Sequence, residues 1–127
     1  MTTETNVTPG EVLGERLRVA GFCCRGVMGA ERLVHLAAQV VKLVGMSTAG
    51  MTPKVWAYPL PGGEGGVGET ICQPLVESLL TFDTWPVLDD PRVYVILASC
   101  RAFDMQMVAE FLNWEIGDVV RQGYFEL

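Results

Sequence analysis

The sequence has one histidine, His35, and four cysteines with no Cys-x-x-Cys pair among them. The ligand sets of structural zinc sites cannot be drawn from that inventory, so no metal site is expected. Lys and Arg are scarce too: nine, against fifteen Asp and Glu, for a formal net charge of −6. No stretch is basic enough to displace counterions from a phosphate backbone, and a nucleic-acid partner is not expected. No apolar run reaches the roughly 20 residues that cross a bilayer, so no membrane partner is expected either. Met1 to Pro9 is polar and lacks the basic-then-apolar order of a secretory leader. The expectation is therefore a cytoplasmic protein in which Cys23, Cys24, Cys72 and Cys100 are reduced.

What the chain does have is apolar residues. They make up 50% of its 127 positions, with 19% charged, which is too apolar for a disordered chain and too short for two cores. Residues 1–12 read as a flexible tail and 13–127 as a single domain. Leu17 and Val19 alternate with Arg16 and Arg18 in a first strand running to Phe22. From Ala30 to Val44, Leu33, Leu36, Ala37, Val40, Val41 and Val44 recur at helical spacing. Glu31 and His35 stand four apart near the start of that helix, where His35 reads as a solvated position. Pro53 to Leu60 reads as a second strand. The glycine-rich stretch 61–68 lacks the Lys-Ser/Thr of a phosphate loop and reads as a hairpin connection.

Thr70 to Asp83 is strand-like throughout, with a bend expected at Pro74. Arg92 to Ser99 is an unbroken, β-branched apolar run, which predicts a central buried strand. Asp104 is placed to cap a second helix, Met105 to Trp114, with Gly117 ending it and Val119 to Phe125 forming an edge strand. The expected fold class is α+β: a two-layer sandwich with a mostly antiparallel sheet backed by two helices.

Composition and periodicity name no function, but one segment carries a resemblance. Glu77-Ser78 is followed at fixed spacing by Thr84-Trp85-Pro86. This resembles the processing-site strand of prokaryotic-type S-adenosylmethionine decarboxylases, where a Glu-Ser bond precedes an alternating strand and His-Thr-Trp-Pro-Glu. Ala98-Ser99-Cys100 lies where that family has Thr-Cys-Gly at a strand end. Gly14 to Val19 is similar to the family's first strand, Phe22-Cys23-Cys24 to its end, and Gly66-Val67-Gly68 sits where a Gly-Val-Ser-Gly turn is usual. The similarity runs from about Gly14 to Trp114.

The resemblance implies a decarboxylase-like fold, a homodimer and a pyruvoyl-dependent lyase linked to polyamine (spermidine) synthesis, acting on a small-molecule amine. Carried over by position, autocatalytic cleavage falls between Glu77 and Ser78, and Ser78 is the precursor of the pyruvoyl group. Cys100 is the catalytic proton donor, Asp83 stands at the processing histidine, and Trp85 lies in the substrate-binding region. Read by spacing alone, Ser78 is an ordinary strand serine, Cys100 a small buried hydrophobe and Trp85 a core aromatic. Three departures bear on activity. Asp83 replaces histidine, Val87 replaces the glutamate that holds the substrate ribose, and Gly68 replaces the serine of the glycine turn. An unprocessed, non-catalytic homologue that binds a ligand or regulates a partner is the alternative expectation.

Overall fold

The computed structural model describes residues 16–61 and 66–127; the tail 1–12 and most of the glycine-rich loop lie outside them. The elements are β1 (Arg18–Arg25), α1 (Ala30–Leu43), β2 (Lys54–Pro59), β3 (Val67–Pro74), β4 (Ser78–Trp85), β5 (Arg92–Ser99), α2 (Met105–Glu115) and β6 (Val119–Glu126). The strands form one sheet in the order β2-β3-β4-β5-β1-β6, and every neighbouring pair is antiparallel. The fold is α+β, a six-stranded sheet with two helices, in agreement with the expected two layers.

Both helices bury the faces that their spacing predicts. Leu33, Leu36, Ala37, Val40 and Val41 of α1 are buried, as are Val108, Ala109 and Leu112 of α2. His35 is exposed. Gly29 precedes α1 and has no side chain to cap it. Glu69 of β3 takes over that role: its carboxylate accepts from the Ala30 N–H at 3.0 Å, satisfying a donor that the first helical turn leaves open. The capping of α2 is local, with the Asp104 side chain accepting from the Met107 N–H at 3.1 Å.

Alternation along the strands separates two faces. Ala20, Phe22 and Cys24 of β1, Ile71 of β3, Leu80 and Phe82 of β4, and Val93, Val95 and Leu97 of β5 are buried in the core beneath the helices. Among the described residues, no second layer covers the opposite face. The register aligns Trp56, Thr70, Asp83, Tyr94, Cys23 and Arg121 in one row across all six strands of it. Tyr94 and Ile96 of β5 remain 44% and 42% exposed there. The apolar run of β5 is therefore central in the sheet but buried on one face only, a correction to the reading of its sequence. Its continuous apolarity serves the core with odd residues and an uncovered face with even ones.

A second correction concerns residues 70–83. They do not form one bent strand but a hairpin of β3 and β4, turning at Leu75 to Glu77. Pro74 ends the ladder because it has no N–H to donate, and the Leu75 N–H bonds the Ser78 carbonyl at 2.8 Å. The first strand is also longer than read, continuing through Cys23 and Cys24 to Arg25.

Gly117, after α2, has φ of 154°, and a Cβ there would lie 2.0 Å from the Arg25 carbonyl oxygen. That contact lets the chain leave α2 and enter β6 beside β1. Gly117→Ala is predicted to destabilise the fold by about 2 kcal/mol or more. The check is a urea titration showing a lower midpoint at unchanged slope.

Candidate functional site

The hairpin turn places Glu77 and Ser78 at the end of the sheet. Ser78 opens β4 and lies opposite Ser99, the last residue of β5. Across the same end, the backbone N–H of Cys100 donates to the Glu77 carbonyl oxygen at 3.1 Å. Cys100 itself is partly exposed, and its own carbonyl accepts from Arg18 Nη1 at 3.2 Å. Three residues assigned by resemblance, Glu77, Ser78 and Cys100, thus meet around one peptide bond.

Residues with no sequence signal hold that bond. The Val76 N–H donates to the Ser47 carbonyl at 2.9 Å. The Ser47 N–H donates to the Glu77 carboxylate at 3.2 Å, and Arg101 Nη1 lies 3.6 Å from the other carboxylate oxygen. The Glu77 side chain is only 13% exposed, so its charge is matched by partners rather than by bulk water. Arg101 also donates to the Gly45 carbonyl at 3.0 Å, tying the connection after α1 to the same corner. The Ser99 hydroxyl, fully buried, accepts from the Arg101 N–H at 2.8 Å and lies 2.9 Å from the Arg101 carbonyl oxygen, fixing the turn that presents Cys100. Arg101 directly follows Cys100, and that adjacency is the one hint the sequence offered. The 45–51 connection could not be tied to the hairpin without the fold.

Asp83 and Trp85 are elsewhere. Asp83 is five residues along β4 from Ser78, about 16 Å at the rise of a strand. The odd offset puts it on the uncovered face, whereas Ser78 shares the parity of the buried Leu80 and Phe82. The Thr70 hydroxyl donates to Asp83, and the Tyr58 hydroxyl lies 3.2 Å from that of Thr70. Trp85 ends β4 opposite Arg92. Arg92 donates to both carboxylate oxygens of Asp90, and this hydrogen bonding holds Asp90 below its ordinary carboxylate range. Within one chain, then, neither Asp83 nor Trp85 touches the Glu77–Ser78 bond. A Cβ on Gly68 would come within 2.7 Å of the Tyr58 ring, so a side chain at 68 requires that ring to move.

The four cysteines fall into distinct classes. Cys23 is buried and accepts from Arg92 Nη1 at 3.2 Å. Cys24 is fully buried in the core, and burial pushes its thiol up to about 12. Cys72 and Cys100 are partly exposed. Among the described residues, no group of three or more His, Cys, Asp or Glu is arranged to hold a metal ion. No described helix is long and apolar enough to cross a membrane. In comparisons with known proteins the chain matches no family model, and no curated protein matches it.

Cys24 gives a pH-dependent prediction. Its ordinary value near 9.0 in the unfolded chain rises to about 12 in the fold. Between those limits the unfolded chain loses a proton that the folded chain keeps, so stability falls as pH rises through this window. Denaturation from pH 8 upward should show a decline in wild type that Cys24→Ala removes in part. Iodoacetamide at pH 8 should label Cys72 and Cys100 in the folded protein and leave Cys24 unmodified.

Proposed function

We propose that the chain is a divergent S-adenosylmethionine decarboxylase-like protein whose Glu77–Ser78 bond is arranged for autocatalytic cleavage. One observation carries the reading: the Cys100 N–H on the Glu77 carbonyl oxygen. If the Ser78 hydroxyl attacks the Glu77 carbonyl carbon, that oxygen gains negative charge, and a fixed backbone donor already points at it. The tetrahedral adduct then expels the Ser78 nitrogen, and the peptide becomes an ester between the Glu77 acyl group and Ser78 Oγ. Elimination across Ser78 releases the Glu77 carboxylate, and the resulting enamine tautomerises to an imine that water hydrolyses, releasing the Ser78 nitrogen as ammonia and leaving a pyruvoyl group at residue 78. Such a group supplies an electron sink for decarboxylating an amino acid. The residues present fit its formation: a hairpin-tip serine, a held acyl carbonyl, and the partly exposed Cys100, whose backbone N–H bonds that carbonyl.

Proton transfer is the weaker part of the arrangement. Asp83, at the position of the family's histidine, is on the other face of β4 and bonded to Thr70. This placement favours the second reading, an unprocessed homologue that binds a small amine or regulates a partner. On either reading the resemblance supports a homodimer.

Freshly purified protein is predicted to be mostly one intact chain by mass spectrometry, with slow or absent cleavage. Hydroxylamine, which cuts esters, should raise fragments 1–77 and 78–127 in wild type and none in Ser78→Ala. An intact wild type after prolonged hydroxylamine treatment would remove the acyl shift and leave the ligand-binding reading. Complete cleavage at purification would refute the proton-transfer argument instead.

Val87 cannot accept the hydrogen bonds that ribose hydroxyls donate to a glutamate. Losing such a charged hydrogen bond costs roughly 1.5–3 kcal/mol, about tenfold to a hundredfold in affinity. S-adenosylmethionine should therefore bind weakly, and submicromolar binding by calorimetry would contradict the assignment of Val87.

A further inference from the structure

Val108, Ala109 and Leu112 carry the buried face of α2. Beside them Gln106, Glu110, Asn113 and Trp114 stand at positions i, i+4, i+7 and i+8, which makes one stripe along the helix. On β6, Gln122 lies opposite the buried Phe22 and is therefore on the helix side of the sheet. Between the stripe and the strand runs a groove of about 360 Å³, lined by those five residues together with Ala109 and Val119. That volume is within the range of small-ligand sites.

The groove is held in shape at one end. Asn113 Oδ1 accepts from the Val119 N–H at 3.0 Å, which bridges the last turn of the helix to the start of the strand. That bond occupies the oxygen of Asn113 and leaves its amide N–H groups to donate. Gln106 Nε2 donates to one Glu110 oxygen at 3.2 Å, which leaves the Gln106 carbonyl and the other Glu110 oxygen as acceptors. Trp114 is 85% exposed, so its indole packs on little of the protein. α2 contains no Lys, Arg or His, and the groove offers no cation to a phosphate or a carboxylate. Glu110 is its single charged group, and an amide already bonds it.

An aromatic plate beside both donors and acceptors, without a cation, matches a particular ligand chemistry. The ligand has an apolar ring face for the indole and edge groups that donate and accept alike. A pyranose has both: its axial C–H groups make the face, and its equatorial hydroxyls make the edge. We propose that the α2–β6 groove binds an uncharged hexopyranose, with Trp114 as the stacking surface and Glu110, Asn113 and Gln122 as hydroxyl partners. The site goes beyond the decarboxylase-like reading and does not depend on it. One stacked face and a few exchanged hydrogen bonds give a Kd of about 1 mM.

The test is nitrogen–proton correlation NMR of the full chain, titrated to 20 mM with cellotriose, maltotriose and triacetylchitotriose in turn. The three tryptophans give three indole N–H signals, and that of Trp114 is the one missing in Trp114→Phe. At least one saccharide should shift the Trp114 signal and the side-chain amides of Asn113 and Gln122 to saturation, leaving the signals of Trp56 and Trp85 in place. Trp114→Ala removes no core contact and should weaken binding at least about tenfold, with unchanged circular dichroism, whereas Trp114→Phe should retain most of it. Gln122→Ala should weaken it about two- to tenfold. No shift at Trp114 with any of the three saccharides would overturn the site. An equal shift at Trp56, which is 54% exposed on β2, would reduce the effect to stacking on any open indole and overturn it too. Adenosine saturating the Trp114 shift at a lower concentration than every saccharide would overturn the sugar assignment in favour of a planar base.

Discussion

Two helices cover one face of a six-stranded sheet, and every strand must answer to that one-sided burial. Side chains alternate with a period of two, so each residue's face is set by its parity along the strand. On β4 this gives Leu80 and Phe82 to the core and Leu79, Thr81, Asp83 and Trp85 to the open side. A slip of one residue would exchange the sets and put Asp83 into the core. The same constraint separates Ser78 from Asp83: five residues is an odd offset, and no local adjustment of side chains can bring them together.

The Glu77–Ser78 corner is instead held by backbone. The Val76 N–H, the Cys100 N–H and the Glu77 carboxylate fix the turn from three directions, through the 45–51 connection and the end of β5. Backbone donors cost no side-chain entropy when they are used, so a carbonyl held this way is preorganised. The Arg101–Glu77 pair adds little to stability, because Arg101 is well exposed and such pairs are worth about 0–1 kcal/mol. Its structural value is to tie the Glu77 side chain to the 45–51 connection, since Arg101 also bonds the Gly45 carbonyl.

Much of this was legible in the sequence because it rests on local rules. The apolar stripe of α1, the Asp104 cap, the Gly117 stop and the edge position of β6 depend on neighbours within a few residues. Two features do not. The hairpin at Leu75–Glu77 was hidden because Thr70 to Asp83 keeps its alternation on both sides of the turn, with no Gly or Asn to mark it. The bare face of β5 was hidden because an apolar run looks the same whether one or two of its faces are covered. Proximity of Cys100 to Glu77 came from the resemblance alone, and the register of β4 against β5 gives it a physical basis. The roles of Ser47 and Arg101 depend on contacts 30 and 24 residues apart in sequence, for which no local pattern exists.

Two positions at the same end of the sheet, Gly68 and Asp83, are physically joined. Tyr58 of β2 lies opposite Gly68 of β3, and its ring occupies the space that a side chain at 68 would need. The Tyr58 hydroxyl reaches the hydroxyl of Thr70, two residues further along β3, and Thr70 donates to Asp83 on the adjoining strand. A serine at 68 would displace the ring that helps to orient Thr70. A histidine at 83 would meet Thr70 with a ring in place of a compact carboxylate. Gly68, Tyr58, Thr70 and Asp83 therefore form one packing solution on β2, β3 and β4, in which glycine admits tyrosine and aspartate satisfies the threonine. Changing one member without the others leaves a clash at 68 or an unmatched hydroxyl at 70. Gly68 and Asp83 thus belong to one coupled arrangement, whereas Val87, beyond the end of β4, stands outside it.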